Sequence, residues 1–126
     1  MSEGGTPSSP GLFSRGAGEG ESVLDAVARL LVAAANPESV ILFGSYARGD
    51  YTKDSDLDLL VILPTVEDRI EEMARLRMAL WDVPMAIDVV VFSRDEVEER
   101  QNLRGTMLFH AVREGQVLYD AARSRA

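Results

Sequence analysis

The sequence predicts an α/β (α+β) fold, in which helices pack against a small mixed β-sheet. Three short apolar runs with the composition of buried strands occupy residues 39–43, 57–63 and 86–92. Segments with the 3.6-residue period of amphipathic helices lie before and between these runs. This order of elements favours a sheet with helices packed against its faces. A chain of 126 residues has room for a single core.

The first two helices are predicted from apolar spacing and capping residues. The first carries apolar residues from Val23 to Ala34, with Ser22 as its N-cap and Asn36-Pro37 as its end. The second is predicted over about residues 66–81. Its expected apolar stripe consists of Val66, Ile70, Met73, Leu76 and Leu80.

The rest of the chain predicts shorter elements. The charged residues 93–101 indicate a short helix, and residues 106–115 indicate a helix closed by Gly115. Residues 116–119, with the sequence QVLY, are consistent with a short last strand. Residues 1–20 are rich in Gly, Ser and Pro without periodicity, so they predict a flexible tail before a domain over residues 21–126.

Composition excludes several classes of site. The sequence has no cysteine, which rules out disulfides, thiolate zinc sites and a cysteine nucleophile. His110 is the single histidine, so any metal would be a hard cation held by carboxylates. A net charge of −8 argues against direct nucleic-acid binding. With no apolar run long enough for a bilayer and no signal-peptide pattern, we expect a cytoplasmic protein without a membrane partner.

An acidic pair interrupts the start of the second predicted strand. Asp56 and Asp58 lie two residues apart and so face the same side, while Leu57 and Leu59 point into the core. Asp88 stands among apolar residues of the third predicted strand. If the two strands are neighbours, the three carboxylates can converge, and like charges that close are costly unless a cation lies between them. The alternatives are a solvated acidic turn for the pair and an arginine partner for Asp88.

A Gly-Ser turn precedes this pair. Gly44 allows the chain to leave the first strand sharply and lets a ligand approach the backbone. Ser45 offers a hydroxyl and a backbone N–H at the start of a predicted helix, a suitable position for phosphate oxygens.

The segment GSYARGDYTKDSDLD resembles the Gly-Ser, ten residues, Asp-x-Asp signature of the polymerase-β-like nucleotidyltransferases. For so short a chain it is similar to their minimal nucleotidyltransferase branch, which includes antitoxins paired with helical HEPN toxins. The resemblance covers about residues 21–120. It implies a mixed sheet, two Mg²⁺ ions (Mn²⁺ can substitute) and transfer of a nucleoside monophosphate, with ATP as the expected donor, to an acceptor hydroxyl.

The resemblance also implies roles for individual residues. It places Gly44 and Ser45 on the triphosphate, and Asp56 and Asp58 on the metals. Asp88 would bind the metal that activates the acceptor and would take its proton.

Three further residues of the signature are candidates for the triphosphate. They are Arg48, Lys53 and Ser55, with a solvated loop charge as the alternative for Lys53.

The implied acceptor is a hydroxyl of a small all-helical HEPN-type toxin, in a hetero-oligomer with this chain as antitoxin. Met107 or Leu108 on the C-terminal helix would supply apolar docking surface. Two other functions stay open: a non-catalytic module that neutralises a partner by contact, and a nucleotidyltransferase acting on a small molecule. Arg104 and His110 share the Arg-x5-His spacing of HEPN RNases, but that motif belongs to an all-helical fold. We therefore expect His110 to be a half-buried packing residue.

Overall fold

The structure is a computed structural model that describes residues 22–124; the predicted tail of residues 1–20 lies outside them. The elements in chain order are α1 (Val23–Ala35), β1 (Ser39–Phe43), α2 (Ser45–Arg48), β2 (Leu57–Leu63), α3 (Arg69–Ala79), β3 (Ile87–Ser93), α4 (Arg94–Arg100), α5 (Met107–Glu114), β4 (Gln116–Asp120) and α6 (Ala121–Ser124).

The four strands form one mixed sheet in the order β3-β2-β1-β4. Strand β1 runs antiparallel to both β2 and β4, whereas β2 and β3 run parallel. The connection from β2 to β3 passes through α3, because parallel neighbours require a crossover. This arrangement confirms the predicted fold class.

Helices cover both faces of the sheet and divide the core into two clusters. The first cluster joins the sheet to α1 and the end of α3, through residues such as Leu31, Leu59 and Leu76. The second joins the other face to α4 and α5, and consists of Ile41, Leu60, Ile62, Val97, Leu108 and Ala111. Strand β2 is apolar on both sides because both faces of the sheet are covered at its position.

Capping residues fix the helix ends much as the sequence predicts. The Ser22 hydroxyl accepts a hydrogen bond from the Asp25 N–H at 3.0 Å, and Asn36 ends α1 in the left-handed conformation. Ser93 and Glu96 form a capping box at the start of α4. Thr106 caps α5.

Helix α3 departs from its prediction in length and at one position of its apolar stripe, while Val66, Met73, Leu76 and Leu80 contribute to the first core cluster as expected. It begins at Arg69, after the N-cap Asp68, instead of near residue 66. Leu76 is fully buried as expected, but Ile70 is 73% exposed, so its place on the apolar stripe was wrong. Arg69 takes the sheet-facing position of the first turn, where its Nε donates to the Val91 carbonyl at 2.9 Å. Arg69 and Leu76 are seven residues apart and therefore lie on the same side of the helix.

Two predictions for α5 were also wrong. Leu108 is only 3% exposed and belongs to the second cluster, so it cannot serve as docking surface. His110 is exposed instead of half-buried, and its side chain lies 3.4 Å from Glu114. The burial of Leu108 and Ala111, three residues apart, turns His110 away from the core.

The remaining points concern the last helix and the character of the helices as a set. Helix α6 was not predicted from the sequence. None of the helices within residues 22–124 combines the length and apolar character needed to cross a membrane.

The phase of α3 can be tested with two truncations on the same helix. Leu76→Ala should lower the free energy of unfolding by about 2–5 kcal/mol, because it removes a fully buried side chain and leaves a cavity. Ile70→Ala should change it by no more than about 0.5 kcal/mol, because the side chain is already in solvent. Urea unfolding followed by circular dichroism measures both. A large loss for Ile70→Ala would contradict the observed rotation of the helix.

Candidate active site

The predicted functional residues meet at one end of the sheet, where β1 ends and β2 and β3 begin. Phe43 on β1 is paired with Asp58 on β2, and Asp58 is paired with Asp88 on β3. The N–H of Leu57 donates to the carbonyl of Ala86 at 3.0 Å, which fixes the start of the two parallel strands relative to each other. Strand register therefore places two carboxylates side by side on neighbouring strands.

These acids lie on the face of the sheet that α4 and α5 cover farther along the strands. Asp58 alternates with Leu57 and Leu59, so it shares its face with Leu60 and Ile62 of the second cluster. Asp88 shares the same face through the parallel register. The carboxylates thus extend the α4–α5 face beyond the end of its apolar core.

Gly44 brings the backbone of the Gly-Ser turn directly against Asp58. Its φ of 77° and ψ of −155° are open to glycine but unfavourable for other residues. A Cβ at this position would fall well inside van der Waals contact with Asp58 Oδ2. Helix α2 begins at the next residue, Ser45, with Gly44 as its N-cap. The requirement for glycine therefore has two causes, the backbone conformation and the approach to a carboxylate.

The surroundings of Asp58 disfavour its charged form. Partial burial raises the pKa of the Asp58 carboxyl above its ordinary value, and the neighbouring Asp88 and Asp56 charges raise it further. The Arg48 guanidinium acts in the opposite direction. Arg48 at the end of α2 is therefore within electrostatic reach of the acidic cluster, although its Nε also donates to Asp50 at 3.3 Å.

The loop between α2 and β2 is held by its own side chains. The Ser55 hydroxyl accepts a hydrogen bond from the Thr52 N–H at 2.9 Å, and the Thr52 hydroxyl accepts one from the Asp54 N–H at 3.2 Å. Lys53 is exposed at the tip of this loop. Ser55 thus has a structural role in the loop, and its hydroxyl proton is still available to a phosphate oxygen.

An aromatic pair ties the same loop to α2. The rings of Tyr46 and Tyr51 are stacked with their centroids 4.3 Å apart and their planes 13° from parallel.

Arg77 is a neighbour of the site that sequence reasoning did not identify. Its Nη2 donates to Asp88 Oδ1 at 3.1 Å, and both side chains are about half exposed. The pair joins the last turn of α3 to the start of β3, and its two residues are 11 positions apart in the sequence. The sequence left two interpretations of Asp88, an arginine partner and a second acid that would share a metal. The structure contains both neighbours, because Arg77 pairs with Asp88 and Asp58 lies beside it on β2.

The residues at this end of the sheet have the chemistry of a site for a hard divalent cation. The donors are the carboxylate oxygens of Asp58 and Asp88, which suit Mg²⁺ and Mn²⁺. Within residues 22–124, however, no three acidic or histidine side chains already have the compact arrangement of a metal site. Asp88 is engaged with Arg77, so metal binding would require a rearrangement of side chains.

Two clefts open beside the Gly-Ser helix. The α2–α5 cleft has a volume of about 440 Å³ and is lined by Phe43, Gly44, Ala47, Arg48, Met107, His110, Ala111 and Glu114. The loop cleft has a volume of about 720 Å³ and is lined by Tyr46, Tyr51, Thr52, Lys53, Asp54, Ser55, Asp56, Pro84, Met85 and Ala86. Of the predicted nucleotide-binding residues, Gly44 and Arg48 line the α2–α5 cleft and Lys53 and Ser55 line the loop cleft. Ser45 is not among the residues that line either of these two clefts, and His110 lines the first.

The sequence matches the family described as the nucleotidyltransferase domain over residues 21–122. It is also 37% identical over 84 residues to a protein of Methanocaldococcus jannaschii provisionally named a protein adenylyltransferase. That alignment covers 65% of this chain and 78% of the relative. The chain belongs to the nucleotidyltransferase domain family and is a nucleotidyltransferase.

Solved structures show the same fold at low sequence identity. A protein of Sulfolobus solfataricus, provisionally named a nucleotidyltransferase, matches with a TM-score of 0.57 and 18% identity over 80% of each chain. A toxin–antitoxin complex determined with AMP-PNP matches with a TM-score of 0.52 and 21% identity, over 80% of this chain and 76% of that one.

The raised pKa of Asp58 predicts a pH-dependent gain of stability on its neutralisation. Because the native state holds this proton more tightly than the unfolded chain, native stability falls as pH rises from the unfolded pKa, near 3.9, through the folded pKa. Asp58→Asn should therefore be more stable than wild type at neutral pH in EDTA, and the difference should vanish at low pH. Thermal unfolding between pH 3 and pH 8 measures this.

Asp54→Asn is the matched control, since Asp54 is an exposed acid of the adjacent loop. It should not reproduce the pH-dependent gain. Destabilisation by Asp58→Asn at neutral pH would mean that the carboxylate is held by favourable contacts instead of repelled by its neighbours.

Proposed function

We propose that this nucleotidyltransferase transfers AMP from ATP to a hydroxyl of a partner protein, in a reaction that depends on Mg²⁺. The observation that carries the proposal is the register pairing of Asp58 with Asp88, with the Gly44 backbone packed against Asp58. Two like charges at the end of adjacent strands destabilise the fold, and a bound cation would offset their repulsion.

Asp56, Asp58 and Asp88 would hold the metal. Mg²⁺ bound there would neutralise the triphosphate and favour ionisation of the acceptor hydroxyl. Gly44 and Ser45 would bind the triphosphate through the backbone N–H and the hydroxyl of Ser45 at the start of α2.

Arg48, Lys53 and Ser55 would supply further contacts to the triphosphate. Arg48 already acts on the charge of Asp58, which places a permanent cation beside the proposed path of the phosphates.

The reaction forms one bond to phosphorus and breaks another. The acceptor oxygen bonds to the α-phosphorus of ATP, and the bond from that phosphorus to the oxygen bridging to the β-phosphate breaks. Pyrophosphate leaves, and the hydroxyl proton passes to Asp88. In the structure Arg77 donates to Asp88 Oδ1, so this contact would have to be released or shared when Asp88 binds the metal and takes the proton.

A protein acceptor fits the shape and charge of the chain. Both clefts beside the site are open, which suits an acceptor presented by another molecule. The net charge of −8 disfavours a free nucleic-acid end. Met78 and Trp81, which follow Arg77 in the chain, are 69% and 76% exposed and offer apolar surface to a partner.

The expected partner is a small all-helical HEPN-type toxin, which this chain would silence as its antitoxin. Support comes from the resemblance of the signature to minimal nucleotidyltransferases, from the provisional name of the Methanocaldococcus jannaschii relative, and from the fold shared with an antitoxin-containing complex determined with AMP-PNP. Met78 and Trp81 replace Leu108 as candidate contacts with that partner.

The proposal is tested by incubating the chain with ATP labelled in the α-phosphate, Mg²⁺ and the protein encoded by the neighbouring gene. We expect label on a hydroxyl side chain of the partner, located by mass spectrometry, and no label in EDTA. Asp58→Asn should abolish the transfer, while Asp54→Asn should retain it, because only the first removes a proposed metal ligand.

Two results would contradict the proposal in different ways. Label on a small molecule or an RNA end, with the partner unmodified, would keep the chemistry and reject the acceptor. Neutralisation of the partner by Asp58→Asn as effectively as by wild type would favour the non-catalytic module.

Ser45 should contribute to nucleotide use without supporting the fold. Ser45→Ala removes one hydrogen bond to a charged phosphate, worth about 1.5–3 kcal/mol, so kcat/KM should fall by about 10- to 150-fold with an unchanged midpoint of unfolding. Ser39→Ala, which removes a hydroxyl at the opposite end of β1, is the control and should leave kcat/KM unchanged. Unchanged kinetics for Ser45→Ala would reduce this residue to a turn former.

A further inference from the structure

The α2–α5 cleft lies on the same face of the sheet as the acidic cluster. Phe43, which lines the cleft, is the register partner of Asp58 and shares its face. Gly44 lines the cleft and packs against Asp58, so the cleft and the acids are separated by a single residue. A ligand whose phosphates contact Gly44 and the acids can therefore continue into this cleft without crossing to the other face.

The cleft has an apolar floor and a small polar rim. Phe43, Ala47, Met107 and Ala111 form the floor, which offers an aromatic ring and a thioether to a flat ligand. The volume of about 440 Å³ is within the range of sites for small molecules.

The polar rim comes from both helices. Arg48 lines it from α2, and His110 and Glu114 line it from α5, one turn apart and 3.4 Å from each other. Both α5 side chains are more than half exposed, so they can turn toward hydroxyl groups of a ligand at little cost to the fold.

We propose that the α2–α5 cleft receives the base and ribose of the nucleotide whose triphosphate lies at Gly44 and Ser45, with His110 and Glu114 as contacts to the nucleoside. This inference rests on the proposed function, because it assumes the triphosphate position, and it adds the site that distinguishes a nucleotide from a bare triphosphate. The base lies over the apolar floor, and the rim groups hydrogen-bond the ribose hydroxyls.

The loop cleft is less suited to the nucleoside. The stacked rings of Tyr46 and Tyr51 already use one face each on one another. Lys53 and Ser55 also line this cleft, which suits contacts to the outer phosphates.

The test compares two probes, a non-hydrolysable ATP analogue and inorganic tripolyphosphate, each titrated with Mg²⁺ by calorimetry. Replacing both rim residues, His110→Ala with Glu114→Ala, should weaken binding of the analogue by at least about tenfold, as expected when a hydrogen bond to a charged carboxylate is lost. Binding of tripolyphosphate should not change. Tyr51→Ala in the loop cleft is the control, and it should leave the ratio of the two affinities unchanged.

The single histidine of the sequence provides a second readout that does not depend on a variant. The ring proton signals of His110 in the NMR spectrum should shift on saturation with the analogue and shift much less with tripolyphosphate. Only the analogue has a base, and the ring current of a base bound in the cleft would act on the nearby His110 protons.

The possible outcomes test the cleft assignment and the triphosphate site separately. If both probes bind but the rim variant leaves their ratio unchanged, or if Tyr51→Ala alters the ratio instead, the cleft assignment is overturned while the triphosphate site stands. If neither probe binds wild type, the proposed function falls and this inference falls with it. A selective loss of the analogue in the rim variant, together with the His110 shift, supports the assignment.

Discussion

The parallel pairing of β2 with β3 forces Asp58 and Asp88 into adjacent positions, where their charges repel each other. The other residues of the site are arranged around this pair. Neither acid can move away without shifting the register of buried apolar residues on the same strands, such as Leu59 and Val89, which are both fully buried. A slip of one residue would turn every core side chain of a strand to the opposite face. The hydrophobic core therefore supplies the free energy that keeps two like charges together, and a cation or a guanidinium at their end of the sheet relieves part of the cost.

Much of this arrangement could be predicted because it is local in the sequence. The bounds of β1 and β2 agree with the predicted runs, since each run is short, apolar and flanked by residues that end a strand. The ends of α1 follow from Ser22 and Asn36, whose capping geometry depends only on neighbouring residues. The alternation of side chains along β2 also indicated that Asp58 would face away from Leu57 and Leu59.

Contacts between distant residues set the features that could not be predicted. Arg69 donates to the Val91 carbonyl, 22 residues away, and no period within the helix contains that information. Arg77 reaches Asp88 across a crossover whose geometry exists only in the folded chain. The exposure of His110 was recoverable in principle, because Leu108 and Ala111 at a spacing of three define the buried side of α5. Its apolar sequence neighbours suggested burial, but adjacent residues on a helix do not share a face.

The placement of positive charge explains how so acidic a chain can accept an anionic nucleotide. A protein of net charge −8 repels a triphosphate at long range, and the three carboxylates add to that repulsion at the site itself. Arg48 and Arg77 act on this cluster from two sides, since Arg48 lowers the pKa of Asp58 and Arg77 pairs with Asp88. Both guanidiniums are about half exposed, so their contacts are weak enough to be exchanged for stronger ones. In the proposed reaction, a divalent cation that arrives with the nucleotide would bring two positive charges to the acids and free these arginines for the phosphates. The cluster that disfavours the free triphosphate would thereby favour its metal complex.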